Sequence, residues 1–342
     1  MKKCALCNNR DANQTGSHIV PHFLMKNIDN EENYRSRNRE LGFSVSSSGI
    51  DGYFGRAVLP EKLEQVYGEV TEELIENNRI PLVVDYIFCK QCESLLAVIE
   101  TEYSNKLAIY SGNQSITNKV QPFISLLFWI SILWRLSVCD NIEFKLKKKI
   151  ENRFRRILLD YLRDNIKYIV PINNDKHLKG CSIKILQSME DQAVKYKNLV
   201  VGTKSQYPYY LIADNYIIAF YLNKNKKHKN VIFNEINRLL NISKTNTAFK
   251  GEFITFIRSA ELEEINNKHQ AHEANSFINN FLDIFDKLHR KLGRQGNMPA
   301  KFKKEILDNI VNDTSPIGKK YSIKNIAKIT FDTLKKYMRT GS

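Results

Sequence analysis

Apolar residues recur at helical spacing in two amphipathic stretches of the chain. Residues 60–78 (PEKLEQVYGEVTEELIENN) are acidic, and residues 144–163 (FKLKKKIENRFRRILLDYLR) are basic. Their apolar side chains return every three or four residues, which predicts one helix in each stretch. Between them, residues 123–133 (FISLLFWISIL) are almost continuously apolar. This run of 11 residues is shorter than the roughly 20 that a membrane-spanning helix needs, so we predict a buried core helix.

Short apolar runs around a turn occur in the second half of the chain. Residues 209–213 and 216–222 flank Asp214-Asn215, a pair typical of tight turns, and predict a β-hairpin. Helices and strands together predict an α+β fold. The expected organisation is an N-terminal module at 1–110 with a long insert, then a larger region at 111–342. We expect that region to be helical at 118–180, strand-rich at 181–256 and helical at 259–342.

Composition and charge narrow the class of protein. The 342 residues are 42% hydrophobic and 26% charged, which excludes a disordered or collagen-like chain and allows two or three domains. An excess of 52 Lys+Arg over 37 Asp+Glu gives a net charge of +15 and predicts an anionic partner, unless the basic faces are simply solvated. Residues 1–100 carry −4 and residues 101–342 carry +19.

The first residues, MKKCALCNNRD, are polar where a signal peptide needs an apolar segment. We therefore expect a cytoplasmic protein with no membrane partner. Structural disulfides are rare in that compartment. The six cysteines then need another explanation.

Four of the cysteines form two CxxC pairs, Cys4/Cys7 and Cys89/Cys92. A two-residue spacer lets two thiolates face one metal ion, and two such pairs complete a tetrahedral zinc site. A redox-active pair or a coincidence are the alternatives, but a redox motif uses one CxxC and leaves the second unexplained. Cys139 and Cys181 are expected to be buried, inert thiols.

The segments between the two pairs have a distinctive order. Ser17-His18-Ile19-Val20-Pro21 follows the first pair, and a strand-like run at 81–88 leads into the second, which opens a helix-like segment at 93–106. This order resembles the treble-clef module of the HNH, or ββα-metal, nuclease superfamily. It is most similar to uncharacterised bacterial HNH-like proteins that also carry Ser-x-x-Trp-Arg in an apolar helix, here at 131–135. The nuclease resemblance covers about residues 1–100.

The resemblance implies roles for individual residues. His18 would be the general base that activates water for attack on a phosphodiester, since a neutral imidazole suits that task. A divalent ion, Mg²⁺ or Mn²⁺, would stabilise the transition-state charge. The family holds this ion at the positions of Ser17 and Glu93.

The sequence departs from the family at both metal positions. Serine is a neutral, weak ligand, whereas Glu93 is a competent oxygen ligand. His22, four residues after His18, and Asp85, four residues before Cys89, are candidates to supply a missing ligand, and Asp85 could instead orient His18. The structural alternatives are a core histidine at 18 and a glutamate at 93 that complements a helix dipole.

Several basic residues are candidates for nucleic-acid binding, by phosphate contacts of their cationic groups. They are Arg35, Arg37, Arg39, Lys147, Lys148, Arg155, Arg156, Arg290 and Arg294. By contrast, His269-x-x-His272-Glu273 lacks the HExxH spacing of a catalytic zinc site, and we predict a solvated helix face there.

The resemblance implies a metal-dependent nuclease that hydrolyses DNA or RNA, with zinc as a structural ion. By analogy with other stand-alone HNH-like proteins, such a nuclease would be an effector of phage defence. The alternative is a non-catalytic, zinc-stabilised protein that binds nucleic acid or a protein partner, including a second copy of the chain. A protein-interaction adaptor without nucleic acid is a third class.

Overall fold

The structure is a computed structural model, and it describes most of the chain. The described residues are 2–25, 40–46, 49–80, 82–107, 122–139, 144–162, 169, 172, 176–188, 199–201, 208–222, 234–249 and 253–339. Helices and sheets are both present, so the predicted α+β class is confirmed as a mixture of the two. Among the described residues, no helix is both long and apolar enough to cross a membrane.

The elements of the first half are short strands and helices followed by three longer helices. They are β1 (Ser17–His18), α1 (His22–Met25), β2 (Leu41–Ser46), β3 (Gly49–Phe54), α2 (Pro60–Tyr67), α3 (Glu72–Asn77), β4 (Val83–Val84), α4 (Lys90–Leu107), α5 (Pro122–Val138) and α6 (Lys148–Tyr161).

The second half contains a sheet and a helical end. Its elements are β5 (Ser182–Ser188), β6 (Leu199–Val201), β7 (Tyr209–Ala213), β8 (Tyr216–Tyr221), α7 (Asn234–Ile242), β9 (Asn246–Thr247), β10 (Ile254–Ile257), α8 (Ser259–Lys291), α9 (Ala300–Val311), α10 (Ile317–Lys320) and α11 (Ile323–Arg339).

The chain forms two compact units, each built from two separate segments. The first unit contains residues 1–28 and 81–267, and the second contains residues 29–80 and 268–342. The unit that holds both CxxC pairs therefore extends well beyond residue 110. Most of the segment between the pairs belongs to the other unit.

The apolar helix α5 forms the centre of the first unit. Every residue from Phe123 to Ser137 is buried, and the helix packs against α4 and α6. Its aromatic side chains pack closely on those of α4, with 4.0 Å between the ring centroids of Phe128 and Tyr103. The predicted core helix is thus confirmed. The predicted helix at 144–163 starts later, at Lys148, and the Leu146 N–H just before it donates to the Ser137 hydroxyl at 2.9 Å.

A sheet completes the first unit, with strands in the order β10-β5-β8-β7-β6. Neighbouring strands are antiparallel except for β10 and β5, which are parallel. Strands β7 and β8 form the predicted hairpin, in which Ala213 pairs with Tyr216. Asp214 in the turn has a positive φ of 53°, a conformation that aspartate tolerates better than most residues. Helix α7 lies in the region that was predicted to be strand-rich.

The prediction of a single helix at 60–78 is wrong, because the chain forms α2 and α3 with a break between them. Gly68 ends α2 with a positive φ of 77°, which favours glycine. Thr71 then caps α3, and its side-chain oxygen accepts a hydrogen bond from the Leu74 N–H at 3.2 Å. Local capping chemistry thus overrides the continuous apolar stripe.

Helices α8 to α11 form the apolar core of the second unit. Phe285, Met298, Ile306 and Ile310 are buried with Ile326 and Leu334 in one apolar cluster. Helices α9 and α11 pack against each other, and α10 packs against α2. Residues 287–304 contain a helix end, a loop and a new helix, as predicted.

Candidate metal centre

The first CxxC pair sits in a tight turn held by backbone hydrogen bonds. The Cys4 N–H donates to the Arg10 carbonyl at 2.8 Å, and the Asn8 N–H donates to the Cys4 carbonyl at 2.9 Å. Asn8 has a positive φ of 56°, which asparagine tolerates better than most residues. The Ala5 N–H reaches across to the Ile87 carbonyl at 2.9 Å, so this turn is tied to the chain just before the second pair.

The second CxxC pair forms the start of α4. The Cys92 N–H donates to the Cys89 sulfur at 3.4 Å, and the Glu93 N–H donates to the Cys89 carbonyl at 3.0 Å. The side chain of Asn13 accepts from the Lys90 N–H at 3.2 Å, which joins the helix start to the first segment. These hydrogen bonds position both pairs.

The two pairs meet, and their four sulfur atoms all lie within 4.8 Å of one another. Cys4, Cys89 and Cys92 are buried and Cys7 is half-buried. Such a group of four cysteines can hold a metal ion. The sequence prediction of a four-cysteine cluster across an 81-residue gap is confirmed at this level.

The environment of the cluster favours ionisation of the Cys4 thiol over those of Cys89 and Cys92. A hydrogen bond from the Cys92 side chain lowers the pKa of Cys4 to about 4. The same bond to Cys4 raises the pKa of Cys92, and burial raises the pKa of Cys89. A bound dication would supply the charge needed to ionise the remaining thiols, because metal ligands must be thiolates.

Ser17 and Glu93, 76 residues apart in the sequence, face each other beside the cysteine cluster. Ser17 lies on β1, which pairs with β4, and its side chain is buried. Glu93 lies in the first turn of α4. Burial raises the pKa of its carboxyl group, while the Arg135 charge and the nearby Ser17 hydroxyl lower it. Neither Ser17 Oγ nor Glu93 Oε2 makes a hydrogen bond. The two positions that the resemblance assigns to a divalent ion thus come together.

Arg135 brings a positive charge to the same place. Its side chain is 2% exposed, and its Nη2 lies 2.6 Å from the Glu100 carboxylate. Its Nη1 donates to the His18 carbonyl at 2.8 Å, and Nη2 is 3.3 Å from the Ser131 hydroxyl. The Ser-x-x-Trp-Arg sequence of α5 therefore links that helix to β1 and α4. Trp134 contributes by packing on Phe88, with ring centroids 5.8 Å apart.

The other predicted ligands do not complete a second metal site. His18 and His22 are half-buried, and the carboxylate of exposed Asp85 accepts a hydrogen bond from the Gly16 N–H at 2.6 Å. In the part of the chain that the structure describes, the four cysteines are the only group of three or more potential ligands that meet within 4.8 Å. With the Arg135 guanidinium beside them, the Glu93 carboxylate and the neutral Ser17 hydroxyl do not fit a Mg²⁺ or Mn²⁺ ion.

The predicted nucleic-acid contacts have different surroundings. Arg155 Nε donates to the Leu6 carbonyl at 2.6 Å and so holds α6 against the first cysteine turn. Lys148 is exposed and paired with Glu151 at 2.6 Å. Lys147, Arg156 and Arg290 are exposed, Arg294 is half-buried, and Arg35, Arg37 and Arg39 lie outside the described residues.

Sequence reasoning missed Glu100 and the role of Arg135. Glu100 lies seven residues after Glu93, a spacing that places both carboxylates on one face of α4. A single arginine in an otherwise apolar helix was the available signal, because a buried guanidinium requires acidic partners. Cys139 and Cys181 are buried outside the cluster, as predicted.

Comparisons with protein-family models, with curated proteins and with solved structures found no match to the chain.

Proposed function

We propose that this protein binds single-stranded nucleic acid through one face of α11. Residues 324, 328, 331, 335 and 338 lie along that face, at alternating spacings of four and three. We call this the α11 stripe, and its members are Lys324, Lys328, Phe331, Lys335 and Met338. All five side chains are exposed. The opposite face of α11 carries the buried residues Ile326, Thr330 and Leu334.

The chemistry of the α11 stripe supports an anionic, aromatic ligand. Three lysines can contact phosphates. Phe331 is 58% exposed, and Lys335 Nζ lies 4.4 Å from its ring centroid. A base can stack on such a ring only if it is unpaired, so the exposed Phe331 favours single strands over a duplex.

The test is fluorescence anisotropy with a labelled oligothymidylate at several salt concentrations. Phe331→Ala should weaken binding by roughly 5- to 100-fold, the range of one base–aromatic stacking contact. Changing Lys324, Lys328 and Lys335 to Gln should reduce the slope of log K against log salt by about 2, since each lost phosphate contact removes about 0.7.

Matched controls separate this surface from general positive charge. Phe249→Ala removes a ring that is equally exposed, at 57%, and should leave the affinity unchanged. Gln substitutions at Lys90, Lys176 and Lys179, three exposed lysines outside the stripe, should change the slope less. Equal effects of both sets would refute the α11 stripe. Absence of salt-dependent binding would favour the protein-interaction adaptor.

In this proposal the cysteine cluster binds a structural zinc ion. Four thiolates suit zinc, and a site that uses all four positions leaves none open for a substrate. The ion would join the turn that carries Cys4 and Cys7 to the start of α4, two segments that lie far apart in the sequence. Zinc would thus stabilise the fold and take no part in chemistry.

A second candidate function is phosphodiester hydrolysis with His18 as general base. The contact between Ser17 and Glu93 beside the cysteine cluster favours it, because the HNH resemblance implies that juxtaposition. The charge of the first unit also favours it, since residues 1–28 and 81–267 contain 31 Lys+Arg and 19 Asp+Glu, a net of +12.

This candidate is tested by incubating the protein with plasmid DNA or RNA in Mg²⁺ or Mn²⁺. A nuclease should cleave one of them, and His18→Ala should abolish cleavage while zinc content is retained. His177→Ala, which changes an exposed histidine elsewhere, should leave cleavage unchanged. Equal cleavage by wild type and His18→Ala would exclude this role for His18.

A further inference from the structure

Arg135 is a buried cation whose partners identify its role. Removing a guanidinium from water is costly unless nearby acids and hydrogen bonds compensate it. Arg135 has one ion pair at 2.6 Å, with Glu100, and two hydrogen bonds, to the His18 carbonyl and to Ser131. Its fixed fork geometry lets it serve all three partners at once. Its partners therefore lie on β1, on α4 and on α5, which is its own helix.

The carboxylates near Arg135 would otherwise form an acidic pocket. Glu93 and Glu100 lie two helical turns apart on α4, and both interact with the Arg135 charge. One Glu93 oxygen is buried and has no hydrogen-bond partner. Two carboxylates, one serine hydroxyl and a backbone carbonyl are the hard oxygen ligands that Mg²⁺ and Mn²⁺ prefer.

We propose that the guanidinium of Arg135 is the resident cation of this pocket, which it closes to divalent metal ions. The guanidinium neutralises Glu100 directly, screens Glu93 and bonds to the His18 carbonyl of β1. Among the described residues, the four cysteines then remain as the metal site. This inference is independent of the proposed nucleic-acid binding, because it concerns metal stoichiometry. It competes with the second candidate function, since phosphodiester hydrolysis would need a divalent ion at Glu93.

The test is titration of zinc-loaded protein with Mn²⁺, followed by the electron paramagnetic resonance signal of free Mn²⁺. Wild type should show no Mn²⁺ site that depends on Glu93. Arg135→Gln removes the charge but keeps an amide donor for the His18 carbonyl, and it should bind Mn²⁺ at least tenfold more tightly than wild type. Arg135→Lys keeps the charge and should behave like wild type.

The double variant Arg135→Gln/Glu93→Gln locates the new site. It should lose the Mn²⁺ binding gained by Arg135→Gln, whereas Asp85→Asn, at an exposed acid outside the pocket, should not affect that gain. Mn²⁺ binding by wild type that Glu93→Gln abolishes would overturn the proposal. So would a folded Arg135→Gln protein without any gain in Mn²⁺ affinity.

Folding of the variants is checked by zinc content, which should remain one ion per chain. If Arg135→Gln does not fold, Arg135→Met replaces it, because an apolar side chain of similar length can fill a site vacated by a buried ion pair. Should neither neutral variant fold, the comparison of wild type with Glu93→Gln gives the decision. Equal Mn²⁺ titrations of the two support the proposal, and Mn²⁺ binding by wild type that Glu93→Gln abolishes refutes it.

Discussion

Four sulfur atoms within 4.8 Å of one another can all ionise only if a cation neutralises them. The lowered pKa of Cys4 provides one thiolate near neutral pH, and the raised pKa values of Cys89 and Cys92 oppose further ionisation. The cluster therefore gains most of its negative charge from metal binding. At the scale of single residues, this makes the proposed zinc ion part of the folding free energy of the first unit.

We expect Cys92→Ser to lose the bound zinc and to unfold at a lower temperature, since structural zinc contributes folding energy directly. Atomic absorption and thermal unfolding with and without a chelator measure both effects. The matched control is Cys181→Ser, at a cysteine that is equally buried and whose thiol donates to the His177 carbonyl at 3.5 Å. It should retain one zinc ion. Retention of zinc by Cys92→Ser would exclude the four-cysteine site.

His269 corrects another expectation at the residue scale. The predicted solvated face is wrong for this residue, because His269 is only 3% exposed and burial lowers its pKa to about 4. His272, one turn later, is exposed. Helical spacing alone did not reveal which of the two histidines faces the interior, since both lie among polar residues in the sequence.

At the scale of elements, one glycine determines how closely the two short helices α2 and α10 pack. Gly318 on α10 approaches the ring of Tyr67 on α2 so closely that a Cβ atom would overlap it. Tyr67 cannot move freely, because it is buried and packs on Phe54 with ring centroids 5.5 Å apart. The contact between α2 and α10 therefore requires glycine at position 318.

Gly318→Ala should lower the free energy of unfolding by about 1–3 kcal/mol, the usual cost of an overpacked interior. Chemical denaturation measures this change. Lys319→Ala on the same helix, at an exposed position, serves as control and should change stability by less than about 0.5 kcal/mol. A Gly318→Ala protein as stable as the control would show that α2 and α10 do not pack this closely.

At the scale of the whole molecule, folding redistributes the charge that a linear count suggests. Residues 1–100 carry −4, but the acidic helices α2 and α3 belong to the second unit with the basic C-terminal helices. That unit contains 21 Lys+Arg and 18 Asp+Glu, a net of +3, against +12 for the unit with the cysteines. Both units thus carry a net positive charge, so either of them could bind an anionic partner. The predicted salt dependence of nucleic-acid binding belongs to this scale.

The sequence by itself determined the local features. The CxxC spacing predicted the four-cysteine cluster, the apolar run predicted α5, and Asp214-Asn215 predicted the hairpin. Each of these signals lies in a few neighbouring residues, where spacing, side-chain polarity and turn chemistry act directly.

Only the tertiary structure decided which distant groups share a site. The meeting of Ser17, Glu93 and Arg135 depends on β1, α4 and α5 packing together, and the partner of a buried charge is set by that packing. The same holds for the assignment of residues 29–80 to the second unit. Such contacts join segments tens of residues apart, and their energies depend on burial, which local sequence does not specify.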